Sequence, residues 1–197
     1  MNYYWLYLKE GLTHITDING YDHILFIFSI SCIYTLKHFR KLIYIISSFT
    51  VAHCISLVLA TTNIVQIQPS KIEFVIPLTI IFACLYNLYR TRKKGIKMFH
   101  VEQTKNELLL VFAFGLIHGL GFSNYLRFIL SSTESLLGPM LCFNIGLEIG
   151  QLLILVIGLG LNQFILSYSR FYRQWVQIQL WIVLLLSLNL TLQNIIN

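Results

Sequence analysis

Long apolar runs separated by short basic segments constrain this chain more than any other feature. The runs lie at about 22–36, 41–61, 72–89, 108–125, 138–161 and 175–192. Each approaches the roughly 20 helical residues that a bilayer core requires. The alternation expected of barrel strands is missing from them. Of the 197 residues only 11% are charged, against about 25% in a soluble domain. The mean hydropathy is +0.71. The expected fold is all-α: one integral-membrane domain, residues 1–197, built as a bundle of about six transmembrane helices. Ahead of it, residues 2–15 carry Tyr3, Tyr4, Trp5 and Tyr7 among Lys9, Glu10 and Thr13. That stretch is too polar to span, and its aromatics suit the headgroup region, so it is expected to be a short interfacial helix. Gly20 then allows a turn into the first span, and Pro77 is expected to kink the third.

The net charge of +6 does not point to nucleic acid, because the basic residues gather on one side of the expected bundle. Lys37, Arg40 and Lys41 follow the first span. Arg90, Arg92, Lys93, Lys94, Lys97 and Lys105 follow the third, and Arg170 and Arg173 follow the fifth. The opposite side has Lys9, Lys71 and Arg127. By the positive-inside rule, spans one, three and five end in the cytoplasm and both termini lie outside. No cleavable signal peptide is expected over residues 1–12. Cys32, Cys54, Cys84 and Cys142 stand singly in apolar runs, with no C-x-x-C, and read as small packing residues.

Against this background a few ionisable residues stand out. Residues 14–23 hold His14, Asp17, Asp22 and His23 at the mouth of the first span. His53, His118 and Glu148 lie within later spans. Placing such a group in a membrane costs a few kcal/mol unless it is paired or hydrated, so each is a functional candidate. At 1.5 Å of rise per residue, His53, His118 and Glu148 lie roughly 10–15 Å from the outer ends of their helices. Three helices therefore offer polar groups at one level. Thr50, His53 and Ser56 share a face, as do Asn144, Glu148 and Gln151. Gly115 with Gly119, and Gly146 with Gly150, form G-x-x-x-G faces suited to close packing, which is expected to bring His118 to Glu148. These faces serve folding or a homo-oligomer equally well. Glu73 is expected to be an interfacial charge, Asn87 a packing or capping residue, and His38 and His100 solvated loop residues.

Neutral imidazoles with a carboxylate form a ligand set for a divalent transition metal, and nickel, cobalt and zinc all accept it. The expected metal residues are His14, Asp22, His23, His53, His118 and Glu148, with Ser56, Asn144 and Gln151 holding them from behind. One function for such a site is a permease for the metal. Another is an intramembrane zinc hydrolase acting on a lipid or lipid-anchored substrate, with Glu148 as base and Ser56 orienting the substrate. A permease needs access from both sides, and the sequence shows no polar path below His118 and Glu148.

Four motifs in order carry a resemblance: His14…Gly20-Tyr21-Asp22-His23-x-Leu25-Phe26; Phe49-Thr50-x-Ala52-His53-x-x-Ser56; Phe114-Gly115-x-x-His118-Gly119-x-Gly121-Phe122; and Phe143-Asn144-x-Gly146-x-Glu148-x-Gly150-Gln151. Together they resemble the hydrogenase/urease accessory membrane proteins, the HupE/UreJ family. The resemblance implies a six-span protein of the bacterial inner membrane that acts as a secondary permease for nickel or a related divalent metal, more a transporter than an enzyme. It also implies metal roles for His14, Asp22 and His23, and for His118 with Gly119. The implied partners are the lipid bilayer and the metal ion.

Overall fold

The computed structural model describes residues 3–18, 20–94, 105–122, 125–126, 129, 137–168 and 171–196. Lys97, His100, Arg127 and Arg170 lie outside the described residues. Every regular element among the described residues is helical. In order these are α1 (Tyr3–Thr16), α2 (Asp22–Ser31), a 3-10 turn (Leu36–His38), α3 (Phe39–Thr61), α4 (Pro69–Lys94), α5 (Lys105–Gly121), α6 (Leu137–Tyr168) and α7 (Tyr172–Ile196). Four of them, α3, α4, α6 and α7, are long and apolar enough to cross a membrane. The other two expected spans are shorter: α2 has 10 residues and α5 has 17. That is about 15 and 26 Å of helix, against a core of about 30 Å.

Helix α2 stops early because another helix caps it. The last carbonyls of a helix have no partner within it. Here Asn162 Nδ2 of α6 donates to the carbonyls of Cys32 at 3.2 Å and Tyr34 at 3.3 Å. Trp175 Nε1 of α7 donates to Asn162 Oδ1 at 3.1 Å and fixes that amide. Asn87 Nδ2 of α4 donates to the Ser29 carbonyl at 2.8 Å. The expected span to residue 36 therefore breaks at Ser31 with its carbonyls satisfied.

The N-terminal segment departs from expectation. Helix α1 does not lie across the end of the bundle as an interfacial helix. It packs lengthwise on α6. Tyr4 lies against Gly138, Leu8 and Leu12 against Gly146, and Ile15 against Gly150. Helix α2 continues along the same neighbour, with Phe28 and Ser31 beside Gly158. Residue numbers rise together on both sides, so α1 and α2 run parallel to α6 as two halves of one interrupted rod. Tyr7 and Ile15 are buried by this packing. Aromatic content suggested the headgroup region, but glycines at 11, 146 and 150 supply a closer seat.

The other G-x-x-x-G face is also used within the chain. Gly115 lies against Phe49 and Ala52 of α3, and Gly119 against His53 and Ser56. The two glycine faces thus meet α3 and α1, not each other. Pro77 does not end α4, which continues to Lys94. Proline lacks the N–H that would reach the carbonyl four residues back. That carbonyl, of Glu73, accepts from Asn194 Nδ2 of α7 at 2.5 Å.

Candidate metal centre

The interruption between α1 and α2 positions the site. His14 occupies the last turn of α1, and Asp22 with His23 opens α2. His53 comes from α3 and His118 from the last turn of α5. The His14 and His23 ring centroids are 4.7 Å apart, and those of His23 and His118 are 5.2 Å apart. His53 lies 6.1 Å from His23 and 6.3 Å from His14. Two ligand-like triads result, His14–His23–His53 and Asp22–His23–His118. Within each, one donor atom per residue lies within 4.8 Å of the others. His23 belongs to both.

Five ring nitrogens in this cluster are buried without a hydrogen-bond partner: His14 Nε2, His23 Nε2, both nitrogens of His53, and His118 Nδ1. Each such group costs about 1–3 kcal/mol when left unmade. Native interiors leave few of them, so four rings doing this at one point make the cluster a candidate ligand site. The chemistry of the donors fits a borderline transition metal.

Two neighbours fix which nitrogen offers its lone pair. Asp22 Oδ1 accepts from His23 Nδ1 at 3.0 Å. The proton is then on Nδ1, and Nε2 carries the free lone pair. Thr79 Oγ1 donates its one proton to the Ile76 carbonyl at 2.7 Å. With that proton on the carbonyl, the hydroxyl accepts from His118 Nε2, 3.1 Å away. In that arrangement His118 offers Nδ1, the atom that has no partner. Thr79 is a residue that sequence reading missed. Its signal was a hydroxyl two residues beyond Pro77, indistinguishable from one bonded to its own helix.

Other expected residues stand elsewhere. Glu148 Oε1 accepts from Ser47 Oγ of α3 at 2.6 Å. Ser47 precedes His53 by about 9 Å of helix. Gln151 Oε1 accepts from Thr50 Oγ1 at 2.8 Å, Asn144 Nδ2 donates to the Met140 carbonyl, and Ser56 Oγ donates to the His53 carbonyl. None of these bonds reaches a ring nitrogen. The Glu73 side chain is exposed. His38, expected in a solvated loop, instead joins Thr35 in a capping box.

A family model described as HupE / UreJ protein matches residues 1–193. The chain belongs to the HupE/UreJ family. No curated protein and no solved structure matches it. The family is associated with nickel and cobalt handling, and in this HupE/UreJ protein the four histidines and Asp22 form groups able to hold such an ion.

The surroundings of the cluster differ at its two ends. Beside it is a pocket of about 610 Å³ bordered by Glu10, Thr13, His14, Asp17, Phe122 and Tyr125. The Phe122 ring packs on His14 with centroids 3.8 Å apart. On the other side Phe26 and Phe49 pack against His118 at 5.3 and 5.2 Å, and Phe114 packs against Phe26 at 5.8 Å. The cluster thus has a pocket with polar lining at its His14 end and aromatic rings at its His118 end.

Proposed function

We propose that this HupE/UreJ protein is a membrane permease for a divalent transition metal of the nickel and cobalt class, with His14, Asp22, His23, His53 and His118 as the binding residues. The observation that carries the reading is the convergence of five unpartnered ring nitrogens from α1, α2, α3 and α5. An interrupted helix beside a continuous one is the arrangement in which transporters hold cations. The ion is cargo here. It enters by the Glu10–Asp17 pocket, exchanges water for imidazole, and is oriented by lone pairs that Asp22 and Thr79 have already aimed. In this reading Glu148 and Gln151 bind α6 to α3 and are not ligands. The base and the substrate-orienting hydroxyl expected of a hydrolase, Glu148 and Ser56, are engaged away from the ring nitrogens. Transport is the better fit for that reason.

The same reading gives a membrane arrangement. The α1–α2 rod forms the first span, and α3 to α7 form the rest, with α5 as a short one. The positive-inside rule supports cytoplasmic ends for α2 and α4 and outer termini in this arrangement. The experiment is metal binding by the purified full chain, followed by uptake into sealed vesicles. A single nickel or cobalt ion per chain, lost in His23→Ala, with saturable uptake, is the expected result. Failure to bind nickel, cobalt or zinc overturns the reading.

A further inference from the structure

The two triads of the cluster share His23 alone. A bound ion sits about 2.1 Å from imidazole or carboxylate ligands, so ligands on opposite sides of it are roughly 4.2 Å apart. Donor atoms within each triad lie within 4.8 Å of one another, and that reach matches one triad at a time. His23 cannot serve both triads at once. Its Nδ1–H goes to Asp22 Oδ1 at 3.0 Å, which leaves its one lone pair on the unpartnered Nε2. A neutral imidazole has no second acceptor nitrogen. Asp22 remains able to act as a ligand. Its Oδ1 accepts from the backbone and ring N–H groups of His23, and a carboxylate has two oxygens. The triads also differ in surroundings. His14 borders the large pocket, whereas His118 packs on Phe26 and Phe49.

We propose that the cluster is two overlapping positions for one divalent cation, occupied in turn: His14–His23–His53 beside the pocket, and Asp22–His23–His118 further from it. The order of use rests on the permease reading; the existence of two positions does not. The pocket-side position offers three neutral imidazoles, a set that replaces the water around an arriving transition-metal ion. The second offers two imidazoles and a carboxylate, which offsets one of the ion's two charges where water is excluded. Passing between them exchanges His14 and His53 for Asp22 and His118, while His23 stays bound throughout. The ion is therefore never stripped of all its ligands. Because His23 has a single lone pair to give, a second ion does not enter until the first has left.

The test loads the full-length protein with saturating cobalt(II). The donor set is read from the visible absorption of the bound ion and from the imidazole count in its X-ray absorption. His14→Ala and His53→Ala each remove the pocket-side position. Asp22→Asn and His118→Ala each remove the other, so either member of a pair decides if its mate does not fold. Every variant is expected to hold one cobalt ion, at lower affinity. The first pair should show two imidazoles and the second pair three, with one absorption spectrum per pair. One site built from all five ligands would group the variants differently: four imidazoles in Asp22→Asn, and three in each of the histidine variants. That grouping overturns the proposal. So does a second cobalt ion in the wild type, or complete loss of binding in both members of a pair. Uptake into vesicles should be lost in all four variants, and wild-type uptake in any of them overturns the handover. Wild-type protein that binds cobalt without uptake overturns the permease reading, and the grouping of spectra then still decides whether there are two positions.

Discussion

At the residue scale, the site depends on proton positions as much as on ligand count. Thr79 acts on His118 through one hydrogen bond, and it accepts there because its own proton goes to Ile76. Thr79→Val keeps the shape and removes the acceptor. His118 is then free to protonate Nδ1, which withdraws the lone pair from the cluster. Nickel affinity is expected to fall by about 10–100-fold, the usual cost of losing a residue that orients a ligand. Thr79→Ser should restore it. Calorimetric titration of the three proteins checks this, and equal affinities would remove Thr79 from the account. The histidines of the candidate cluster stood out in the sequence, because an ionisable group within an apolar run is costly unless it has a partner. Thr79 was not, since a hydroxyl in a helix commonly bonds its own backbone. The burial of Glu107 against Arg90 and Lys41 was not either. It stands two residues from Lys105 at the edge of a basic loop, where a carboxylate looks like an ordinary interfacial charge.

At the element scale, glycine determines which helices meet. A β-carbon at Gly146 would overlap the Leu8 carbonyl and come within 2.9 Å of Leu12 N. Gly146→Ala therefore forces α1 away from α6. Overpacking of this kind costs about 1–3 kcal/mol. Because α1 carries His14, nickel affinity is expected to fall as well. Gly160 has nothing within 4 Å of where its β-carbon would stand. Gly160→Ala is the matched control and should leave both properties unchanged. Thermal unfolding in detergent, with nickel titration, measures the pair. The sequence revealed that these glycines favour close packing but not their partners. A G-x-x-x-G face is the same whether it meets its nearest neighbour or a distant helix. The expected meeting of His118 with Glu148 failed on that point: Gly119 seats α5 on α3, and Gly146 seats α6 on α1. The break between α1 and α2 was misread for a related reason. A polar stretch ending in Gly20 looks the same at the foot of a surface helix and in the middle of an interrupted rod.

At the scale of the whole molecule, the histidine cluster is where four helices are tied together. His14, His23, His53 and His118 come from α1, α2, α3 and α5, and among their buried ring nitrogens five have no protein partner. An ion bound there links elements that otherwise meet through glycine contacts and aromatic packing. A ligand that binds only the folded bundle stabilises it by about 2.7 kcal/mol at a hundredfold excess over its Kd. For a chain of this size that corresponds to a rise of roughly 5–10 °C in Tm. Nickel or cobalt is expected to produce such a rise in the wild-type protein. His23→Ala removes the residue common to both triads and should abolish it. His38→Ala, which alters the capping box at Thr35 and the Tyr34 ring contact but no residue of the cluster, should retain it. A shift of equal size in His23→Ala would mean that the metal binds elsewhere, and the cluster would lose its claim as the cargo site. A shift that disappears in His23→Ala and persists in His38→Ala ties metal to the junction of the interrupted rod, where α1 and α2 each contribute a histidine.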